Sequence, residues 1–386
     1  MIPYGRQSIS DDDIAAVIET LKSDWLTQGP AVPRFEAALC AATGADHAVA
    51  VNSATSALHI ACLALGLGPG DIAWTVPNTF VASANCALYC GATVDFVDID
   101  PASYNMDTAA LEAKLASAEA QGRLPKVLIP VHFGGHSCDM KEIAVLAARY
   151  GFHVIEDASH AIGGAYDGGP VGDCRYSDIC VFSFHPVKIV TTGEGGAAMT
   201  NDPALAEAMR LLRSHGITRD LAVMRGDERG SWVYEQHALG FNYRMTDIAA
   251  ALGASQMKRL DEFVAKRTAL ADRYDVLLGN LPVGRPPRRT DRNSAWHLYA
   301  INLEAADDNG TLRAHVFEHM RAAGVGVNVH YIPVHFQPYY RALGFRHGEF
   351  PGAEKFYARA LTLPLFPDLT PDDQDKVVAT LKEALA

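Results

Sequence analysis

Lys188 stands in FSFHPVKIVTTGEGG (182–196), among aromatic, β-branched and small residues, with no acidic residue nearer along the chain than Glu194. A lysine in so apolar a stretch is costly unless it is paired or chemically committed. Asp157 ends a second apolar run in HVIEDASHAIG (153–163), where a carboxylate needs a cation or a donor as partner. A third stretch, VNSATSALHIACLAL (51–65), passes from a strand-like run through a Ser/Ala/Thr/Ser turn into a helix. Such a turn leaves backbone N–H groups free at the positive end of a helix, where phosphate binds. Taken alone, that turn reads first as an ordinary helix cap, and Asp157 reads equally as a structural anchor.

Together the three stretches ask for one ligand carrying a phosphate, a ring nitrogen and an aldehyde. Pyridoxal 5′-phosphate has all three. Lys188 would bond to the aldehyde, Asp157 would keep the pyridine nitrogen protonated, and the hydroxyl-rich turn would hold the phosphate. Displaced by a substrate amine, Lys188 then becomes a base that moves a proton.

These residues must be held by strands and helices in alternation. Strand-like runs occur at 48–52, 72–76, 93–98, 126–133, 152–157, 178–184 and 196–200, with helix-length segments between several of them. The pattern predicts an α/β fold with a mostly parallel sheet, helices on both faces, and the ligand beyond the carboxyl ends of the strands. One helical segment is expected over 247–280. After it come a Pro/Arg-rich stretch, strands at 296–303 and 325–334, and further helices. We therefore expect a large domain over 1–250 and a smaller α/β domain over 251–386.

Composition narrows the function. The 386 residues are 49% hydrophobic and carry 33 Lys+Arg against 45 Asp+Glu, a net charge of -12. That balance argues against a nucleic-acid partner. No apolar run reaches the ~20 residues of a membrane helix, and the opening MIPYGRQSISDDD lacks the basic-then-apolar pattern of a signal peptide. Seven cysteines without a C-x-x-C spacing read as reduced core thiols in the cytoplasm. Cys86/Cys90 and His132/His136 have ligand-like spacings but no further ligands nearby, so no metal is expected. GLGPGD (66–71) follows a helix and precedes a strand, the reverse of a dinucleotide loop. The Walker and G-x-S-x-G motifs are absent.

NSATSAL, PNTFVASAN, EDASHAIG, FSFHPVK, TGEGG and GFNYRMTDIAAALG occur in an order that resembles the DegT/DnrJ/EryC1/StrS sugar aminotransferases over essentially the whole chain. The resemblance implies the fold type I, aspartate aminotransferase-like architecture of pyridoxal-phosphate enzymes. By it, Lys188 carries the cofactor, Asp157 meets the pyridine nitrogen and His160 lies beside the phenolic oxygen. Phe80 stacks on the ring, and Ala54, Thr55 and Ser183 contact the phosphate. Asn242 would reach the phosphate from a second subunit, which implies a homodimer with a shared active site. Tyr4, Trp25, Leu26, Thr27, His330 and Tyr331 are implied as substrate contacts, although Trp25 and Tyr331 equally suit packing and His330 a hydrogen-bonded strand position. Arg244 and GRPPRR (284–289) are candidate donors for the substrate's phosphates, and the arginine run also suits a solvated loop.

The segment IPYGRQSISDDDIAAVIETLKSDWLTQGP (2–30) most resembles the UDP-4-amino-4,6-dideoxy-N-acetyl-β-L-altrosamine transaminases of pseudaminic acid biosynthesis. The implied reaction moves the amino group of L-glutamate to a 4-keto nucleotide sugar. Two alternatives differ in kind. A sugar dehydratase of the same fold has histidine in place of the lysine, whereas FHPVK keeps Lys188. A non-catalytic cofactor-binding regulator would not require the intact lysine, aspartate and phosphate turn.

Overall fold

Strand residues alternate between two apolar layers. Val49, Val51, Ile179, Val181 and Ala198 pack into one buried cluster, while Ala48, Ala50, Cys180, Phe182, Ala197 and Met199 pack into another. A sheet covered on both faces results, as runs without polar alternation require. In the computed structural model, which describes residues 1–226, 230–304 and 309–386, this sheet has seven strands. They are β1 (His47–Val51), β2 (Ile72–Thr75), β3 (Thr93–Phe96), β4 (Val127–Leu128), β5 (His153–Asp157), β6 (Ile179–Ser183) and β7 (Gly196–Thr200). Their spatial order is β1-β7-β6-β5-β4-β2-β3.

The pairs β2/β3, β2/β4, β4/β5 and β5/β6 are parallel, whereas β7 runs antiparallel to both neighbours, β6 and β1. The carboxyl ends of β1, β2, β4, β5 and β6 therefore share one edge of the sheet, and the amino end of β7 joins them there. The mostly parallel α/β sheet read from the sequence is present. The run at 126–133 gives only the two-residue strand Val127–Leu128; Pro130, with no N–H to donate, interrupts the ladder, and Val131 then bridges Asp157.

The expected helix over 247–280 is two helices, Asp247–Met257 and Leu260–Leu277. At the break, Arg259 has φ -111° and ψ 13°, and its guanidinium donates to Asp13 Oδ2 at 2.6 Å and to the Ser8 carbonyl at 3.1 Å. Tertiary bonds redirect a sequence whose local preference is helical throughout.

A third apolar cluster gathers Ala271, Tyr274, Tyr299, Ile301, Val316, Val325, Leu361 and Leu363 around a three-stranded sheet. That sheet is built from Val283–Gly284, Tyr299–Leu303 and Ala360–Leu363. The expected strand at 325–334 does not form. The segment is held by isolated bridges to Ile2 and Thr362 instead, and Ala360–Leu363 takes the central strand's edge. Ile2 N–H donates to the Gly324 carbonyl at 2.9 Å and Gly326 N–H to the Ile2 carbonyl at 2.7 Å, so the first residues are stitched to this segment. Arg267, almost wholly buried, donates Nη1 to the carbonyls of Trp296, His297 and Leu365 at 3.2, 3.4 and 3.0 Å. One guanidinium thereby fixes the approach of His297 to the sheet edge.

Among the described residues, no helix is long and apolar enough to cross a membrane.

Candidate active site

A cavity of about 520 Å³ lies at that shared edge. These strand ends supply part of its wall: Ser53–Thr55 after β1, Thr79 and Phe80 after β2, Val131 after β4, Asp157 at the end of β5, and Ser159 and His160 after it. Ser183 ends β6, Lys188 follows it, and Glu194 and Gly195 precede β7. The opposite wall is Tyr4, His297 and Asn328 to Tyr331. Ten of the residues expected from the sequence meet here: Tyr4, Ala54, Thr55, Phe80, Asp157, His160, Ser183, Lys188, His330 and Tyr331.

The turn after β1 is both cap and cradle. Ser53 Oγ accepts from Ser56 N–H at 3.1 Å, as an N-cap does. The N–H groups of Ala54 and Thr55, in the first turn of helix Ala54–Ala64, have no intrahelical acceptor. Gly196 presses on this turn so closely that a Cβ there would lie 2.4 Å from Ala54 N.

Lys188 makes no hydrogen bond or ion pair through its amine to any described residue. The side chain is half-buried in the cavity wall. Desolvation lowers its pKa from 10.5 to about 8, against the upward pull of Asp157. Asp157 is buried; Oδ2 accepts from Ser83 Oγ–H at 2.6 Å and Oδ1 from Ser159 N–H at 3.1 Å.

His160 has its tautomer fixed by its neighbours. Nδ1 accepts from Gly134 N–H at 3.2 Å, so Nε2 carries the proton and donates to the Tyr331 hydroxyl at 3.0 Å. Burial, then the charge of Lys188, holds the ring neutral. The Tyr331 hydroxyl proton is left to face the cavity, and burial followed by the Asp157 charge raises its pKa well above the ordinary value. In His330, Nε2 accepts from Asn328 Nδ2 at 3.3 Å and Nδ1–H donates to Thr362 Oγ1 at 2.8 Å. Burial and Lys188 lower its pKa to about 3. Phe80 is 59% exposed, an aromatic face open at the rim.

Asn242, Trp25, Leu26 and Thr27 lie outside the cavity of the single chain. Thr27 bridges Thr246, and the Leu26 carbonyl accepts from Asp247 N–H at 3.0 Å, so the Trp25–Thr27 turn is tied to the segment that carries Asn242. The arginine run is committed elsewhere. Arg288 pairs with Asp272 and Asp275 and covers the Trp296 ring, while Arg289 pairs with Asp291 and Asp139. No arginine lines the cavity among the described residues. His132 Nε2 and Glu156 are 2.6 Å apart, and no group of three potential metal ligands occurs among the described residues.

Thr79, Ser83, Glu194, His297 and Asn328 went unassigned in the sequence. His297 is buried 4.5 Å, ring to ring, from His160, and its Nδ1 has no partner among the described residues. It stands within WHLY, just ahead of strand Tyr299–Leu303, and nothing in that run sets it apart in the sequence.

The sequence profile of the DegT/DnrJ/EryC1/StrS aminotransferase family matches residues 7–382. The chain belongs to that family. It is 39% identical over 384 residues to the spore coat polysaccharide biosynthesis protein SpsC of Bacillus subtilis, covering 99% of this chain and 96% of that one. Among solved structures, the putative sugar aminotransferase Spr1654 from Streptococcus pneumoniae, in its PMP form, superimposes with a TM-score of 0.91 at 30% identity, covering 100% of this chain and 99% of that one. Helicobacter pylori PseC, an aminotransferase involved in the biosynthesis of pseudoaminic acid, gives 0.90 at 30% identity with the same coverage.

The protein is accordingly a pyridoxal-phosphate-dependent transaminase with the fold of that family. The cavity fits the cofactor on its own evidence: an unpartnered amine of lowered pKa, a buried carboxylate with lone pairs to spare, and free helix N–H groups beside Ser183. When bound, pyridoxal phosphate supplies an electron-withdrawing ring that stabilises negative charge at the carbon bearing the transferred nitrogen.

Proposed function

We propose that this family member moves the amino group of L-glutamate to the C4 keto group of a nucleotide-linked sugar, UDP-2-acetamido-2,6-dideoxy-β-L-arabino-hex-4-ulose, for a cell-surface sugar. Lys188 carries the cofactor and, once displaced, takes and returns the proton at the substrate carbon. Near neutral pH an amine titrating at about 8 is partly unprotonated, which suits both tasks. Asp157 holds the ring nitrogen protonated, Phe80 covers the ring, and Ala54, Thr55 and Ser183 bind phosphate. His160 stays neutral beside the phenolic oxygen. Tyr4, His330 and Tyr331 meet the sugar, with Trp25, Leu26 and Thr27 contributing from a second copy of the chain.

The observation that carries the reading is the lone Lys188 amine sharing a cavity with Asp157, where burial holds His160, His297 and His330 neutral. The likeness to PseC supports the sugar class. A homodimer sharing Asn242 across subunits fits the exposed apolar residues Leu221, Trp232, Tyr234 and Leu239 just before it. The free state of all seven cysteines suits a cytoplasmic setting.

Half-reactions test this directly. L-glutamate added to the cofactor-loaded protein should change the cofactor's absorbance and release 2-oxoglutarate, and the 4-keto UDP sugar should reverse the change and emerge as a 4-amino sugar. No change with glutamate removes that donor. A change reversed only by dTDP- or GDP-linked ketones, or by 3-keto sugars, removes the named acceptor.

A further inference from the structure

Asp157 is held by a chain of hydroxyls rooted outside the strand-end motifs. Ser83, fully buried in helix Ala82–Tyr89, lies 2.6 Å from Asp157 Oδ2 and 3.4 Å from the Phe80 carbonyl. A hydroxyl has one proton to give, and an ionised carboxylate at the shorter distance takes it over a neutral carbonyl. Thr79 Oγ1, 2.8 Å from Ser83 Oγ, must then be the donor to Ser83. Thr79 itself is buried and lines the cavity, so the relay runs from the cavity wall through Ser83 to the carboxylate. The second oxygen of Asp157 is fixed by Ser159 N–H at 3.1 Å.

We infer that Ser83, backed by Thr79, is a positioning residue that holds Asp157 in one rotamer with its remaining lone pairs toward the cavity, so that the proton shared with the cofactor's ring nitrogen stays on the ring. The inference rests on the reading of Asp157 as the ring-nitrogen partner. The physical reason is one of competition. A carboxylate in a buried site draws a neighbouring proton to itself unless donors stabilise its charge. Ser83 and Ser159 supply two such donors, leaving the remaining lone pairs directed to the cavity. Without Ser83 the carboxylate is free to turn away from the ring nitrogen, and the ring loses positive charge.

The test uses the full-length protein, stripped of cofactor and titrated with pyridoxal phosphate. Ser83→Ala should weaken cofactor binding on the order of tenfold, as removal of a group that orients a ligand commonly does. It should also move the pH midpoint of the bound cofactor's absorbance upward, because a less positive ring lets the lysine nitrogen bonded to it hold its proton to higher pH. Ser83→Thr should restore both readouts. Ser83→Cys, of similar volume with a weaker donor, should fall between and serves if Ser83→Ala does not fold. Asp157→Asn should shift both readouts further, and Ser83→Ala should then add little, whereas a purely packing role would add its full effect. If Asp157→Asn shifts both and Ser83→Ala neither, Ser83 is not a positioning residue. If Asp157→Asn also changes nothing, the reading of Asp157 is overturned together with the inference.

Discussion

Lys188 has two opposing influences on it, and their balance sets a pH dependence. Desolvation disfavours the ammonium and Asp157 favours it; desolvation is the larger, and the pKa falls to about 8. Only the neutral amine is a nucleophile, so reactivity should be low below pH 8 and rise through it. In cofactor-free protein treated with an acylating reagent at limiting dose, the peptide carrying Lys188 should be labelled with a midpoint near pH 8. Exposed lysines should show midpoints near the ordinary 10.5. A midpoint near 10.5 at Lys188 would mean that the amine is solvated and that its poise comes only from the bound cofactor. His160 carries no comparable dependence near neutrality, since burial and Lys188 hold it well below its ordinary range.

Elements bring these side chains to one place by packing constraints that are partly visible in the sequence. Gly196 opens β7 and lies against the first turn of helix Ala54–Ala64, where an added Cβ would meet Ala54 N at 2.4 Å and Ser53 C at 2.5 Å. Both are backbone atoms and cannot swing aside. Gly196→Ala should cost about 1–3 kcal/mol in a urea unfolding titration, and should loosen phosphate-dependent cofactor binding more than a distant substitution of equal cost. Unchanged cofactor affinity would show the turn to be tolerant of displacement. The strand ends bearing Asp157, Ser183 and Lys188 were legible because buried parallel strands read as unbroken apolar runs, against which a charge or hydroxyl stands out. Ser83 and Thr79 were not. They sit in PNTFVASAN among other small residues, and the bond from Ser83 to Asp157 joins positions 74 residues apart. His297 and Asn328 were hidden for a related reason: the Arg267 bond to the His297 carbonyl and the Asn328–Thr362 bridge hold them in place, and local pattern encodes neither. The segment 325–334 shows the converse. Its β-rich composition predicts a strand, yet bridges to Ile2 and Thr362 hold it as a cavity wall.

The whole molecule leaves two pieces of the expected site unused by its own cavity. Asn242 is exposed and bridged to Ser214, and the Trp25–Thr27 turn is bound to the same region through Thr246 and Asp247. Trp25 and Leu26 in that turn, and Trp232 and Leu239 ahead of Asn242 in the chain, present large apolar side chains to solvent. If two copies pair through this surface, each site takes Lys188 from one chain and Asn242 from the other, and the two can be inactivated separately. Lys188→Ala abolishes transfer in its own chain's site. Asn242→Asp places a negative charge toward the phosphate and should raise the cofactor's dissociation constant steeply, since like charges repel strongly where water is excluded. Unfolded together and refolded, the two variants form mixed dimers in which one site carries both defects and the other carries neither. Random pairing makes half of the dimers mixed, and half of their sites intact, so activity should recover to roughly a quarter of the unmutated level. Variants sharing one chain's site would instead stay inactive on mixing, which would place Asn242 in the same cavity as the lysine of its own chain. Recovery at that level, with a dimer mass by analytical ultracentrifugation, would make the paired chain the smallest catalytic unit.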